Sequence, residues 1–424
     1  VFIKINFNIT NYIKTMQSKT DQFGLNEEQE AILEAADKFG KKELYPLAEK
    51  MDNEEWWPEG IFKKMADAGL LGLTIDPKYG GAGMSYLQAG LVCQAFGRWN
   101  HAIALSWVAH DNLCLDNIYR NGSDYIKEKY LSGLCSGKLI GALGLTEPGS
   151  GSDSLGSMRT SAIKKDDHYI LNGSKTYITN GSIADIILVY AKTDFNKKNK
   201  GITAFVIETD NPGFKVVSKL KKMGYRGSQT TELFFEDFKV PTENVLGIEG
   251  KGHITVMNGL DSERAMIAPI CLGISERALD ISVEYSKIRE QFGKPISSFQ
   301  MIQSKLAEMY TLVQSIRSLV YSVLSQCDTI DKKEFGKGKI HMNTAASVMF
   351  ASSTTNKILE ETVQIHGGMG YMWESEANRL YRSSKLLDIG AGTTEVRKMI
   401  ISCLLYTSDA ADEGLGVDLG GRRI

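Results

Sequence analysis

The chain has 424 residues, 49 Lys+Arg against 51 Asp+Glu, 42% hydrophobic residues and 24% charged. This is the composition of a folded protein of two or three domains, neither disordered nor collagenous. A formal net charge of -2 speaks against a general nucleic-acid binder, and no apolar run reaches the roughly eighteen residues of a membrane span. The six cysteines form no CxxC pair and no metal-ligand spacing with histidine. They read as buried, reduced thiols, with no metal expected.

Both ends are set aside. Residues 1-22 form an extension; Val1 to Thr15 begin without methionine, precede Met16, and read as translation upstream of the true start. A targeting peptide is the rival, but the stretch contains no arginine. At the other end, Cys403 to Asp412 look like the translation of a sequencing-library adapter, and Gly416 to Ile424 like the primer that follows it. Residues 403-424 therefore read as adapter read-through. They carry four acids and two arginines, which leaves 47 charges of each sign.

The first block is helical. Asn26 is placed to cap a helix, with Gln29 three residues on as the reciprocal half of a capping box. Ile32, Leu33, Ala36 and Phe39 then recur at helical spacing, and Pro58, Gly69, Gly80-Gly81 and Gly83 punctuate the later helices. After Leu143 the period becomes that of strands. Asn172-Gly173, inside Tyr169 to Thr179, predicts a hairpin turn. Ile186 to Lys192, Ile202 to Glu208 and Thr231 to Phe235 are further strands, rich in branched and aromatic residues, and Pro241 ends the block. From about Ile254 to Ile401 the helical period returns, notably over Ile267 to Glu290 and Gln300 to Asp328. Four long antiparallel helices account for that length. Helices flanking a separate sheet fit neither a doubly wound sheet nor a barrel of alternating strands and helices.

Several chemistries have no motif here. No GxGxxG follows a strand, and no Walker A loop, GxSxG or HExxH is found. There remains a series of small-residue and polar patches at block edges, where backbone N–H groups can approach a planar or anionic ligand. They are Leu145 to Asp153 (LTEPGSGSD), Tyr177 to Gly181, Arg289 to Gly293, Gln300 to Gln303, His366 to Tyr371 and Ile389 to Glu395. Each alone reads as a turn.

In this order and spacing the patches resemble the acyl-CoA dehydrogenase family, from about Phe23 to Ser402. Leu105 to Cys114 (LSWVAHDNLC) is similar to that family's isovaleryl branch. The resemblance implies an α+β fold: a helical N-terminal domain over 23-141, a β-sheet or barrel middle domain over 142-252, and a C-terminal four-helix bundle over 253-402. It implies FAD between the middle and C-terminal domains, completed by a neighbouring subunit of a homotetramer. By position, Leu143, Leu145, Thr146 and Ser152 would contact the flavin, with Tyr177, Ile178 and Thr179. Arg289 and Gln300, with Gln364, Ile365, His366, Gly367 and Gly368, would hold its pyrophosphate and adenine side across the subunit contact. Thr393, Thr394 and Glu395 would complete the cofactor site. Ser152, Tyr285, Asp261, Arg264, Ala391 and Gly392 would line the thioester and CoA path. The Tyr177 position is usually tryptophan in the family, and tyrosine keeps a flat ring there.

The implied reaction removes an α-proton from an acyl-CoA while a β-hydride leaves to flavin, giving the 2-enoyl-CoA, and it needs a carboxylate base. Many members carry that glutamate just before the Gly-Thr matched by Gly392-Thr393, but here Ala391 stands there. The isovaleryl and long-chain branches place it on a helix, at the position of Glu263. Desolvation there should raise its pKa toward neutrality. The backbone N–H of Ala391 would serve the thioester oxygen. His110 and His366 match no proton-transfer position and read as structural, and Arg379 and Arg382 as braces. The implied acceptor is electron-transfer flavoprotein. Open alternatives are an acyl-CoA oxidase or a dehydrogenase of another chain length on the same fold, a DNA-binding relative, which the balanced charge disfavours, and a flavin scaffold without turnover. The expected compartment is a bacterial cytoplasm, with the mitochondrial matrix as the alternative, and no membrane insertion.

Overall fold

The computed structural model describes residues 23-331 and 334-407; the N-terminal extension and residues 408-424 of the expected read-through lie outside them. Helix α1 (Glu27–Phe39) begins on the expected capping box. The Gln29 N–H donates to the Asn26 side chain at 2.9 Å, and the Asn26 N–H to the Gln29 side chain at 3.0 Å. A π-helical turn (Gly40–Leu44) leads into α2 (Tyr45–Glu54), then α3 (Ile61–Asp67). Helix α4 (Tyr86–Trp107) starts on a second box, Ser85 with Gln88, and passes into a π-helical segment (Val108–Asp116). Two short helices, α5 (Asn117–Asn121) and α6 (Asp124–Cys135), close the block.

An eight-stranded sheet follows: β1 (Gly141–Gly144), β2 (Ser161–Lys165), β3 (His168–Thr179), β4 (Ile186–Lys192), β5 (Ile202–Glu208), β6 (Phe214–Lys219), β7 (Thr230–Pro241) and β8 (Val245–Leu246). Its order is β6-β7-β3-β2-β4-β5-β8, with β1 parallel to β4. Strands β4 and β5 have the predicted bounds, because each is a branched, apolar run buried nearly end to end. The Asn-Gly hairpin is corrected. Strand β3 runs straight through Asn172-Gly173, and the turn between β2 and β3 is Asp166-Asp167, since Lys165 pairs with His168. Asn172-Gly173 is instead a register shift against β7. There the Asn172 amide donates to Asp237 at 3.1 Å and accepts the Asp237 N–H at 2.8 Å. Gly173 has φ +149, and a Cβ on it would lie 2.7 Å from Thr160 Cα.

The last block holds α7 (Gly252–Ile288), a short hairpin of β9 (Glu290–Gln291) and β10 (Lys294–Pro295), α8 (Gln300–Thr329), α9 (Gly338–His366), α10 (Gly368–Tyr371), α11 (Glu376–Ser384) and α12 (Thr394–Thr407). Three of these helices are long. The fourth expected long helix is the 14-residue α12, whose last turn takes in Cys403 to Thr407. Helix α7 crosses α4 at close range, where a Cβ on Gly273 would meet the Gln94 carbonyl oxygen at 2.0 Å and one on Gly97 the Ile270 backbone at 2.9 Å. Only glycine allows this crossing. It merges the first and last blocks into one apolar core, with Leu91, Phe96, Ile270, Ile274, Val313, Val320 and Val348. A second core joins the sheet to the start of α7 through Leu188, Val206, Leu246 and Val256, with Leu143 and Leu260 packed against it. The start of α7, which leads to Glu263, is thereby packed on the sheet beside β5.

Candidate active site

Glu263 sits half-buried in the third turn of α7 and accepts no hydrogen bond among the described residues. Burial pushes its carboxyl pKa up to about 7, against the pull of the Arg264 and Arg397 guanidinium groups. Arg264, fully buried, donates from Nε to the Ala391 carbonyl at 3.2 Å and from Nη1 to Asp261 at 3.2 Å. Arg397, also fully buried, reaches the same loop from α12. Its Nη2 donates to the Gly390 carbonyl and its Nη1 to Ser352 Oγ at 3.2 Å. Two buried arginines thus hold consecutive carbonyls of the Ile389–Gly392 loop. Ala391 and Gly392 are left-handed, with φ of +54° and +86°. Nothing among the described residues accepts the Ala391 N–H.

Asp261 is fully buried and occupied by protein groups. It accepts from His341 Nδ1, from the Gly336 N–H at 2.6 Å and from Thr344 Oγ1 at 3.3 Å, besides Arg264. From the other side Asn112, in the π-helical segment, donates to Ser262 Oγ at 2.5 Å. The Leu105 to Cys114 stretch therefore lies directly behind the Glu263 turn.

The patch expected to face the flavin is formed by two neighbouring edges. The Thr176 N–H donates to the Thr146 carbonyl at 2.9 Å, which places the loop after β1 beside the end of β3. Leu145 and Ile178 are buried, Leu143, Thr146 and Thr179 half-buried and Ser152 exposed. Tyr177 is 70% exposed at φ +60, so its ring is presented to solvent or to a ligand rather than packed. Asn180 anchors this strand end by donating from Nδ2 to the Ser106 carbonyl at 2.8 Å and the Gly141 carbonyl at 3.2 Å. At the α12 start, Thr393 Oγ1 accepts the Val396 N–H at 3.3 Å, Thr394 Oγ1 donates to the Asp388 carbonyl at 3.3 Å, and Glu395 is exposed.

The remaining residues gather elsewhere. Arg289 follows the C-terminus of α7, Gln300 opens α8, and Gln364 to Gly368 run from the end of α9 into the start of α10. Tyr285 joins this second cluster by stacking on His366, with ring centroids 4.4 Å apart; it does not meet Asp261, Arg264 or Ala391. Along α7, Glu263 and Arg289 are separated by about 39 Å at the usual helical rise. Within one chain, the two halves of the expected cofactor site do not meet.

His366 is buried with Nδ1 donating to the Thr362 carbonyl at 2.7 Å, and its pKa is lowered, chiefly by burial. His110 is likewise held neutral, its pKa pushed to about 3 by burial, and its Nδ1 accepts the Gly141 N–H at 2.8 Å. Arg382 donates to the Met223 carbonyl at 2.8 Å and pairs with Asp52, bracing α11 against the other two blocks. Sequence reasoning missed Arg397 and Lys175. Arg397 lies two residues beyond the patch that ends at Glu395, and only burial reveals what it does.

Family models described as acyl-CoA dehydrogenase N-terminal, middle and C-terminal domains match residues 26–138, 142–238 and 250–404. The chain belongs to the acyl-CoA dehydrogenase family. It is an oxidoreductase of that flavin-using, CH–CH-oxidising family. The mitochondrial isovaleryl-CoA dehydrogenase of Oryza sativa subsp. japonica is 42% identical over 400 residues, 93% of this chain and 95% of that one. Butyryl-CoA dehydrogenase from Megasphaera elsdenii superposes with a TM-score of 0.86 at 39% identity, over 91% of this chain and 99% of that one. A chain from a structure concerned with the electron transferring flavoprotein of Acidaminococcus fermentans gives a TM-score of 0.86 at 38% identity, over 90% and 99%.

The site also fits the family's cofactor on its own geometry. A Cβ on Gly149, Gly151 or Gly368 would meet nothing within 4 Å, so the backbone there is open to close approach by an anionic pyrophosphate. The presented Tyr177 ring suits a planar ring system.

Proposed function

We propose that this chain is an FAD-dependent dehydrogenase that converts a short branched acyl-CoA, isovaleryl-CoA-like, to its 2-enoyl-CoA and passes the electrons to an electron-transfer flavoprotein. The observation that carries this reading is Glu263, a carboxylate whose pKa lies near 7 beside a loop with alanine where many relatives hold glutamate.

Tyr177, Ile178 and Thr179, with Leu143, Leu145, Thr146 and Ser152, would hold the flavin end of FAD, and Thr393 to Glu395 would flank it. Bound there, FAD supplies the acceptor for the hydride leaving the β-carbon. Glu263 takes the α-proton and becomes a carboxylic acid, which its half-buried position favours near neutral pH. The unpartnered Ala391 N–H receives the charge that develops on the thioester oxygen, and Arg264 and Arg397 keep that peptide in place beforehand. Substrate class rests on the isovaleryl-CoA dehydrogenase likeness and on the Leu105 to Cys114 segment behind Ser262; the acceptor rests on the likeness to the flavoprotein-associated chain.

The separation along α7 supports assembly as a homotetramer in which Arg289, Gln300, Tyr285 and Gln364 to Gly368 serve a neighbouring subunit's cofactor. Phe292, 91% exposed, and Met301, 78% exposed, lie at that end of the bundle as apolar surface. The deciding experiment is anaerobic bleaching of the flavin by a panel of acyl-CoA thioesters. Isovaleryl-CoA should bleach fastest. Bleaching by none of the panel overturns the dehydrogenase reading, and a straight-chain optimum overturns the branched one.

A further inference from the structure

Outside the residues assigned to the site lies a completely buried cation. Lys175 stands in the middle of β3, where its neighbours belong to a hydrocarbon core. A Cβ on Gly144 would touch Lys175 Cγ at 3.5 Å, Val189 Cγ2 at 3.5 Å and Ile187 Cγ2 at 3.6 Å, so the stem runs over a glycine between two branched side chains. A methionine or leucine would suit that position. The ammonium ends instead on Glu147, 2.9 Å away, and on the Leu145 carbonyl at 3.1 Å. Glu147 is 5% exposed and lies in the LTEPGSGSD loop. Its carboxylate also accepts the Arg159 N–H at 2.6 Å and the Thr160 N–H at 2.9 Å, and its backbone exchanges hydrogen bonds with Ser150. One carboxylate therefore ties both ends of the loop, Leu145 to Ser150 and Arg159-Thr160, to one lysine on β3. Burying a charge pair in place of apolar residues is seldom a gain in stability, so its place here asks for another reason.

We propose that Lys175 and Glu147 are the positioning pair of the flavin-facing loop, holding Leu145 to Ser152 in the shape that takes up FAD. This rests on the proposed flavin site. Removing either charge leaves the other buried and unpaired, and the loop must rearrange to solvate it. The pair also has a titration of its own. Burial depresses the lysine to about 8, with Glu147 opposing that shift. No other titratable side chain faces Lys175 among the described residues. Its β7 partner is Leu233, Glu232 beside it faces Thr176 and Ser218, Lys192 reaches the Gly156 carbonyl, and Asp153 turns to Gly156 and Ser157. The charged lysine prevails below that point and is lost above it.

The test is the FAD dissociation constant of the apoprotein between pH 6.5 and 9, read by flavin fluorescence, with the thermal midpoint of each apoprotein alongside. The wild type should lose FAD affinity as pH rises past about 8. Glu147→Gln removes the charge that holds the lysine protonated, so the same loss should begin at lower pH. Lys175→Met should bind FAD about tenfold to a hundredfold more weakly, the scale of a hydrogen bond to a charged group, with no step in this window. If Lys175→Met does not fold, the displaced profile of Glu147→Gln decides. Unchanged affinity and profile in the variants, with wild-type FAD uptake intact, overturns this pair's role alone. A wild-type apoprotein that takes up no FAD at all overturns the flavin reading and this inference together.

Discussion

Arg264 follows Glu263 in the chain and gives its Nε–H to the carbonyl oxygen of Ala391, 3.2 Å away. The residue after the proposed base thus grips the loop at Ala391. Glu263→Gln retains shape and hydrogen bonding but cannot take the α-proton. Turnover is expected to fall by about 10²–10⁴-fold while the flavin spectrum and acyl-CoA binding persist. In that background Ala391→Glu should restore part of the activity and change the preferred chain length. Normal flavin reduction by isovaleryl-CoA in Glu263→Gln would place the base elsewhere.

The pH dependence comes from the same group. Only the carboxylate accepts a proton, so kcat/KM should climb as pH rises through about 7 and level off above it. Stability moves oppositely. The folded pKa lies above the ordinary value of 4.5, so protonated Glu263 favours the fold at low pH, and that contribution is lost as pH rises through about 7. Glu263→Gln removes this loss, and its thermal midpoint at pH 8 should exceed that of the parent. A lower midpoint at pH 8 would contradict the assigned burial cost.

Arg264→Met leaves Asp261 buried with one charge partner fewer, and it frees the Ala391 carbonyl. Breaking such a buried pair costs about 3–5 kcal/mol, measurable as a lower urea midpoint. Arg264→Lys keeps the charge but not the fork that serves Asp261 and Ala391 at once. It should recover much of the stability and little of the turnover. Equal recovery of both would remove the loop-holding role.

Assembly gives a further test. Phe292→Asp places a charge on the most exposed apolar side chain near the second cluster. The expected result by light scattering is a smaller species, and with it weaker FAD retention, because Arg289 and Gln364 to Gly368 then serve no neighbour. An unchanged mass with full FAD content would separate that end of the bundle from both roles.

Strand and helix identity was legible wherever burial is one-sided or complete. Asn26 with Gln29 sets the first helix, and the unbroken apolar runs of β4 and β5 set their own bounds. Asn172-Gly173 misled because the dipeptide is read locally, whereas Asp237 on the facing strand engages the asparagine and turns the pair into a bulge. The true turn, Asp166-Asp167, carries no glycine to announce it. For the site, motif order was enough to single out Glu263 and Ala391 as candidates, and the structure shows Glu263 half-buried and Arg264 bonded to the Ala391 carbonyl. Arg397 and the Lys175–Glu147 pair stayed hidden because their roles come from desolvation and partner geometry, which adjacency in sequence does not encode.

The clamp on the Ile389–Gly392 loop acts on its backbone alone. Arg264 and Arg397 hold it by main-chain oxygens, the carbonyls of Ala391 and Gly390, and not by any side chain of the loop. The methyl group of Ala391 thus takes no part in the restraint that fixes its backbone, whereas Gly392, at φ +86°, is held to glycine by its own conformation. With the proposed base carried on a 37-residue helix instead, a change of the Ala391 side chain would reshape the loop's surface and leave the proposed proton acceptor where it is.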